Sequence, residues 1–204
     1  MTENPNVPPI DPSSTALLLM DFQPAILASI SEPDALLARA ATALAWARSN
    51  KVQVCYVRVA FTEEDFAAVP AHSKAFAPVA HSRFLGADSP EAQIHESLEV
   101  RPEDIVVRKT RFGAFSTTDL YASLHKQGID TLVLAGISTA GVVLSSLRHA
   151  ADEDYRIYVL SDATADSDPE VHRVLTEKVF PHQADVITTL DLAALGGGTG
   201  AAAE

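Results

Sequence analysis

The stretch Thr131-Leu-Val-Leu-Ala-Gly-Ile-Ser-Thr-Ala-Gly-Val-Val143 decides the fold: an apolar strand runs into a tight turn of small residues, and a helix starts directly after it. Such a strand–turn–helix belongs to an open α/β sheet. There the carboxyl ends of the strands face the ligand crevice, and a helix starting at that edge offers free N–H groups and the positive end of its dipole. Catalytic nucleophiles often sit on turns of this kind. The turn carries neither the dinucleotide G-x-G-x-x-G pattern nor a P-loop lysine.

Outward from this stretch, short β-rich runs alternate with longer runs of helical period, the mark of a parallel sheet covered by helices on both faces. Strands are predicted over residues 15–20, 52–60, 104–108, 131–136, 156–161 and 184–188. Helical spacing covers 33–48, 117–126, 141–154 and 168–180, with Ser116 and Asp168 as helix starts and Pro169 in a first-turn position. The fold class is therefore α/β: a three-layer α/β/α sandwich around a six-stranded, mostly parallel, Rossmann-like sheet. Residues 61–90 fit neither period and carry His72, His81 and Arg83. A connection of that length is usually a lid, a binding loop or a subunit contact. Residues 1–12 read as an N-terminal arm, 13–195 as one domain, and the Gly/Ala-rich 196–204 as a flexible tail.

At 204 residues, 47% apolar and 21% charged, the chain can fill one core but not two full-size ones. The net charge of −12, from 15 basic and 27 acidic residues, argues against nucleic acid as a partner. No apolar run approaches the about 20 residues that span a bilayer, and the polar start lacks the apolar core of a signal peptide, so a cytoplasmic protein without a membrane partner is expected. The single cysteine, Cys55, lies within the apolar run 52–57 and reads as a buried, inert thiol.

Three places could carry chemistry. Asp21 directly follows the first strand, beside Gln23 and Pro24; it is either a helix N-cap or a carboxylate at the crevice. Lys109 ends the third strand in Ile105-Val-Val-Arg-Lys-Thr-Arg-Phe-Gly-Ala-Phe115, where alternation puts Val107 and Lys109 on one face and Arg108 on the other. The third is the turn at Ser138–Val142, whose N–H groups form either an anion pocket or merely a tight helix–strand junction. Neither His-x-His nor Asp-x-His occurs, so no metal is expected, and His125, His149, His172 and His182 read as solvated or capping residues on helices.

Taken in order, the Leu-Leu-Leu-Met-Asp-Phe-Gln opening at Asp21, the Val-Arg-Lys-Thr-Arg-Phe-Gly-Ala-Phe block, the Leu-Ala-Gly-Ile-Ser-Thr turn and Ser161-Asp-Ala-Thr-Ala-Asp166 resemble the isochorismatase-like hydrolases, a superfamily that includes nicotinamidases and N-carbamoylsarcosine amidases. The resemblance covers nearly the whole chain. It implies a six-stranded parallel sheet, a cis peptide before Ser138, no cofactor, a homo-oligomer (dimer or tetramer) and an Asp–Lys–Cys triad. Asp21 and Lys109 match its first two members. The cysteine position, three residues after Thr139, is Val142, which has no lone pair or titratable proton for acyl-enzyme chemistry.

Three readings follow. The isochorismatases proper, by the same resemblance, cleave a vinyl ether with an aspartate acid/base and a water nucleophile; on that model Asp21 and Lys109 act on a small, carboxylated metabolite. The chain is otherwise a ligand-binding or regulatory member that has lost catalysis, or a hydrolase with a Ser/Thr nucleophile from Ser138, Thr139, Ser145 or Ser146, although the sequence places no histidine beside the turn. Burial would favour a neutral Asp21 and Lys109 its carboxylate; an acid needs the first effect, a base the second. Gln23, Phe112, Phe115, Thr139 and Arg83 are the expected substrate contacts, with Arg58 and Arg111 as further candidates for a carboxylate.

Overall fold

The computed structural model describes residues 8–195. Six strands form one sheet: β1 (Thr15–Met20), β2 (Gln53–Val59), β3 (Ile105–Lys109), β4 (Thr131–Ile137), β5 (Arg156–Ala165) and β6 (Asp185–Ile187). Every pairing is parallel and the spatial order is β3-β2-β1-β4-β5-β6. This is the doubly wound order, whose direction of progression reverses between β1 and β4, and ligands bind outside the strand ends at that switch point.

The central strands read as continuous apolar runs because both of their faces are covered. Leu17 and Leu19 of β1 enter one core with Val133 and Ala135 of β4, while Ala16, Leu18 and Met20 enter the other with Leu132 and Leu134. Helices α1 (Pro24–Leu27), α2 (Pro33–Asn50) and α8 (Thr189–Leu195) supply the first face; α5 (Leu120–Lys126) and α6 (Leu144–Asp152) supply the second. Along α2 the buried Leu36, Leu37, Ala40, Ala43, Leu44 and Ala47 follow helical spacing, Pro33 opens the helix, and Lys51 closes it in the left-handed region at φ 60°.

Several boundaries depart from expectation. Ser116 does not start a helix: Thr117 Oγ1 accepts the N–H of Thr110, Thr118 Oγ1 caps Leu120, and α5 begins only at Leu120. Residues 61–90 are not structureless. They hold α3 (Glu63–Ala67), started by a reciprocal Thr62–Asp65 capping box, and α4 (Phe76–Ser82), over a small core of Val59, Ala60, Phe61, Phe66, Leu85 and Ala92. Strand β5 outruns its predicted end because the β4–β5 register jumps between Leu134 and Gly136, so Gly136 pairs with Thr164. In α7 (Pro169–Val174) Asp168 is the N-cap, but the predicted helix breaks into a π turn, Leu175–Val179, and a 3-10 turn, Phe180–His182.

Of the N-terminal arm, Ile10 is buried in the first core and the Pro8 carbonyl accepts from the Tyr158 hydroxyl; residues 1–7 and the tail 196–204 lie outside the described residues. Among the described residues no helix is long and apolar enough to cross a membrane.

Candidate active site

Asp21, Lys109 and Ser138 end or directly follow β1, β3 and β4, so the topology gathers them along the carboxyl edge of the sheet at the switch point. Asp21 has φ 60°, in the left-handed region, which Asp tolerates better than most residues, and its N–H donates to the Val57 carbonyl at 2.8 Å. It caps nothing. The N-cap of α1 is Gln23, two residues on, and even that side chain makes no cap bond.

Instead the Asp21 Oδ2 pairs with Lys109 Nζ at 2.8 Å, the two side chains being only 5% and 3% exposed. Lys109 Nζ also donates to the Arg111 carbonyl at 3.1 Å. Asp21 Oδ1, by contrast, is buried with no hydrogen-bond partner among the described residues. Burial is the largest influence on Asp21 and pushes its carboxyl above the usual range, with Lys109 opposing. The balance left open in the sequence thus tilts towards the proton-bearing form. Arg108, on the other face of β3, pairs with Asp65 at 2.5 Å, as the alternation required.

The turn is built for close approach. A Cβ on Gly136 would lie 2.7 Å from the Met20 carbonyl oxygen and 2.9 Å from Met20 Cβ, so only glycine lets β4 press against the end of β1. The Ile137–Ser138 peptide is cis. The chain then makes a π-helical turn, Thr139–Val143, before α6, in place of the α-helical start expected at Gly141. Ala140 N–H donates to Asp166 Oδ2 at 2.9 Å, and the N–H groups of Gly141 and Val143 both return to the Ser138 carbonyl. Those three donors are therefore spent, and an anion at this turn is left with the N–H groups of Thr139 and Val142, which have no partner outside the turn among the described residues.

Val142 is 2% exposed and packs in the second core with Met20, Phe115 and Leu147. Cys55 is buried in the same core, its thiol pushed far up by desolvation.

The other expected contacts divide. Gln23 is fully buried and its amide is occupied: it donates to the carbonyls of Val59 and Ala92 at 2.9 and 2.7 Å and accepts the Val59 N–H at 2.9 Å. It ties the sheet to the 61–92 segment, with both amide hydrogens spent on backbone carbonyls. Phe115 is likewise a core residue, stacked on His149 at 4.9 Å. Phe112 is half exposed beside the turn, where a Cβ on Gly141 would come within 3.7 Å of its ring. Arg83 ends α4 and pairs with Glu63 at 2.5 Å, away from the pair at Asp21 in the contacts it makes.

Two further residues complete the turn. His172, expected on a solvated helix face, shares a 2.8 Å hydrogen bond between its Nδ1 and Thr139 Oγ1; a histidine does adjoin the turn. Burial holds its imidazole below the usual pKa, opposed by Asp166. Asp166 stood in the last block of the resemblance without a role, and His172 is 33 positions from its partner, a separation no local pattern reports. Among the described residues no three His, Cys, Asp or Glu side chains are grouped to hold a metal ion.

The chain matches known proteins over most of its length. The family model of the isochorismatase domain matches residues 15–191. A ureidoacrylate amidohydrolase, RutB, from Methylobacterium radiotolerans is 31% identical over 186 residues, covering 80% of this chain and 72% of that protein. The phenazine biosynthesis protein PhzD of Pseudomonas fluorescens is 30% identical over 185 residues, covering 88% of this chain and 85% of its own. Among solved structures, an isochorismatase family protein from Burkholderia thailandensis superposes with a TM-score of 0.82 at 27% identity, covering 93% of this chain and 98% of the other. The chain belongs to the isochorismatase family.

Proposed function

We propose that the protein is a cofactor-independent hydrolase of a small, carboxylated metabolite, with Asp21 as general acid/base, water as nucleophile and no covalent enzyme adduct. The observation that carries this reading is the free Oδ1 of Asp21: a buried carboxyl oxygen without a partner costs free energy unless a substrate supplies one. Lys109 holds Oδ2, so the free oxygen has a defined direction, and the ammonium stabilises the carboxylate once the proton has left. On a vinyl ether the Asp21 proton goes to the alkene carbon, water adds to the oxocarbenium carbon, and its proton returns to Asp21. The hemiketal then falls apart into a carbonyl and an alcohol. Val142 does not obstruct this sequence, because no step acylates the enzyme.

A small-molecule substrate in a cytoplasmic homo-oligomer accompanies this reading; the charge of −12 supports the exclusion of nucleic acid. Turnover is to be screened over vinyl ethers, amides, lactams and esters. Asp21→Asn is expected to lower turnover by about 10²–10⁴-fold with an unchanged circular-dichroism spectrum. Undiminished turnover in that variant would overturn the assignment. Absence of turnover in the wild type, together with ligand-dependent thermal stabilisation, would make the chain a binding module.

The Thr139–His172 hydrogen bond favours one other reading, a threonine nucleophile activated by histidine. Thr139 is fully buried, which weighs against presentation of its hydroxyl to a substrate. A covalent adduct on Thr139, detected by mass spectrometry after exposure to an acylating substrate, would decide for it.

A further inference from the structure

In a chain with 27 acidic and 15 basic residues, an arginine beside the reactive pair without an acidic partner is conspicuous. Of the three arginines within reach of the site by sequence, two are occupied. Arg58 Nη1 donates to the carbonyls of Ala87 and Ala92, both at 3.1 Å. Arg83 pairs with Glu63 and lies 5.1 Å from the centroid of the Phe66 ring. Arg111 makes no ion pair among the described residues; its Nη1 donates to the Thr110 carbonyl at 2.6 Å, and its guanidinium lies 5.2 Å from the centroid of the Phe76 ring.

The placement of Arg111 ties it to the site from three sides. Its carbonyl accepts from Lys109 Nζ, so its backbone adjoins the ion pair. Phe76, under its guanidinium, comes from α4 and meets Phe112 at 4.9 Å with planes tilted by 55°. Phe112 in turn lies over Gly141 of the turn with half its surface exposed. Four consecutive residues, Lys109 to Phe112, thus reach the acid, the 61–92 segment and the turn. A guanidinium over an aromatic face is shielded on that face, while its in-plane N–H edges remain able to engage a carboxylate bidentately.

We infer that Arg111 is the carboxylate anchor of this site and, with Phe76 and Phe112 as an aromatic wall, selects a planar, conjugated carboxylate. This rests on the reading of Asp21 and Lys109 as the reacting pair and names the substrate class they act on. Charge complementarity commits the arginine to an anion. The exposed Phe112 face commits the body of the ligand to a flat, unsaturated one, because offset stacking rewards planarity.

Calorimetric titration with benzoate, benzamide and cyclohexanecarboxylate tests the two halves separately. Benzoate is expected to bind the wild type, with benzamide and cyclohexanecarboxylate each weaker by about ten-fold or more. Arg111→Gln is expected to weaken benzoate by about ten-fold or more, and Arg111→Lys to retain part of the affinity because it keeps the charge and loses the fork. Asp21→Asn is expected to bind benzoate at least as tightly as the wild type, so failure of the acid/base reading and failure of the anchor are distinguishable. Unchanged benzoate affinity in Arg111→Gln overturns the anchor. So does no benzoate binding to the wild type, or a loss on Arg83→Gln or Arg58→Gln instead. Equal affinity for benzamide overturns the charge requirement, and equal affinity for cyclohexanecarboxylate overturns the planar one.

Discussion

At Asp21 two effects of opposite sign meet in one carboxyl group. Desolvation raises its pKa and the ammonium of Lys109, 2.8 Å away, lowers it; burial is the larger. A buried ion pair is weak evidence for stability, since removing two charges from water costs about as much as their attraction returns. Its presence at the switch point is better explained by chemistry that needs a proton poised between two states. If Asp21 donates that proton, kcat/KM holds at low pH and falls as pH rises through a pKa above the ordinary 3.8. Lys109→Met removes the one influence of a charged neighbour that lowers this pKa. The descending limb should therefore move to higher pH in that variant, whatever happens to the absolute rate. A limb that stays put or moves down in a pH–rate profile would remove Asp21 from the role of acid.

Among the elements, the π turn Thr139–Val143 is the one whose shape is imposed from outside. Asp166, following β5, takes the Ala140 N–H, and His172 of α7 holds the Thr139 hydroxyl, so two neighbours brace a segment that directly follows the cis peptide and contains Gly141, where a Cβ would lie 2.7 Å from Ser138 Oγ. The brace is sensitive to pH. The folded-state pKa of His172 lies below 6.5, so between those values the folded protein binds fewer protons than the unfolded chain. Its contribution to stability is full above about pH 6.5 and is lost as pH falls through the folded value. Urea melts from pH 7.5 down to 5 should show that loss in the wild type and a flatter dependence in His172→Asn, with m unchanged. A steeper dependence in the variant would place the titration elsewhere. None of this was legible locally. The turn was recognisable from Gly136, Gly141 and the small residues between them, but its braces come from residues 166 and 172, and long-range hydrogen bonds leave no periodic trace.

Over the whole molecule, one buried amide joins the site's two halves. Gln23 holds both backbone polar groups of Val59 and the carbonyl of Ala92, so it couples the end of β2 to the 61–92 segment that carries Phe76. Replacing it with leucine takes the amide's partners from the N–H and carbonyl of Val59, each worth about 1–3 kcal/mol, while the Ala92 carbonyl keeps Arg58 Nη1. Gln23→Leu should lower stability and raise amide hydrogen exchange in residues 85–93 well above that of the central strands; uniform protection would show that the aromatic cluster alone holds the segment. Sequence determined much of this architecture. A strand buried on both faces needs an unbroken apolar run, and alternation along a strand is a matter of geometry, so β1, β4 and the opposite facings of Lys109 and Arg108 could be read directly. Asp21 and Lys109 stood out as polar residues at strand ends, and the family resemblance implied them as a pair. Only the tertiary structure decided which polar groups remain unspent. Gln23, Arg58 and Arg83 all looked available in sequence and are taken up by backbone carbonyls or an acidic partner, while among the described residues Asp21 Oδ1 is left without a hydrogen-bond partner and the Arg111 guanidinium, bonded only to the Thr110 carbonyl, without an acidic one. Hydrogen-bond saturation depends on what the folded chain brings within about 3 Å, and residue order alone does not encode that distance.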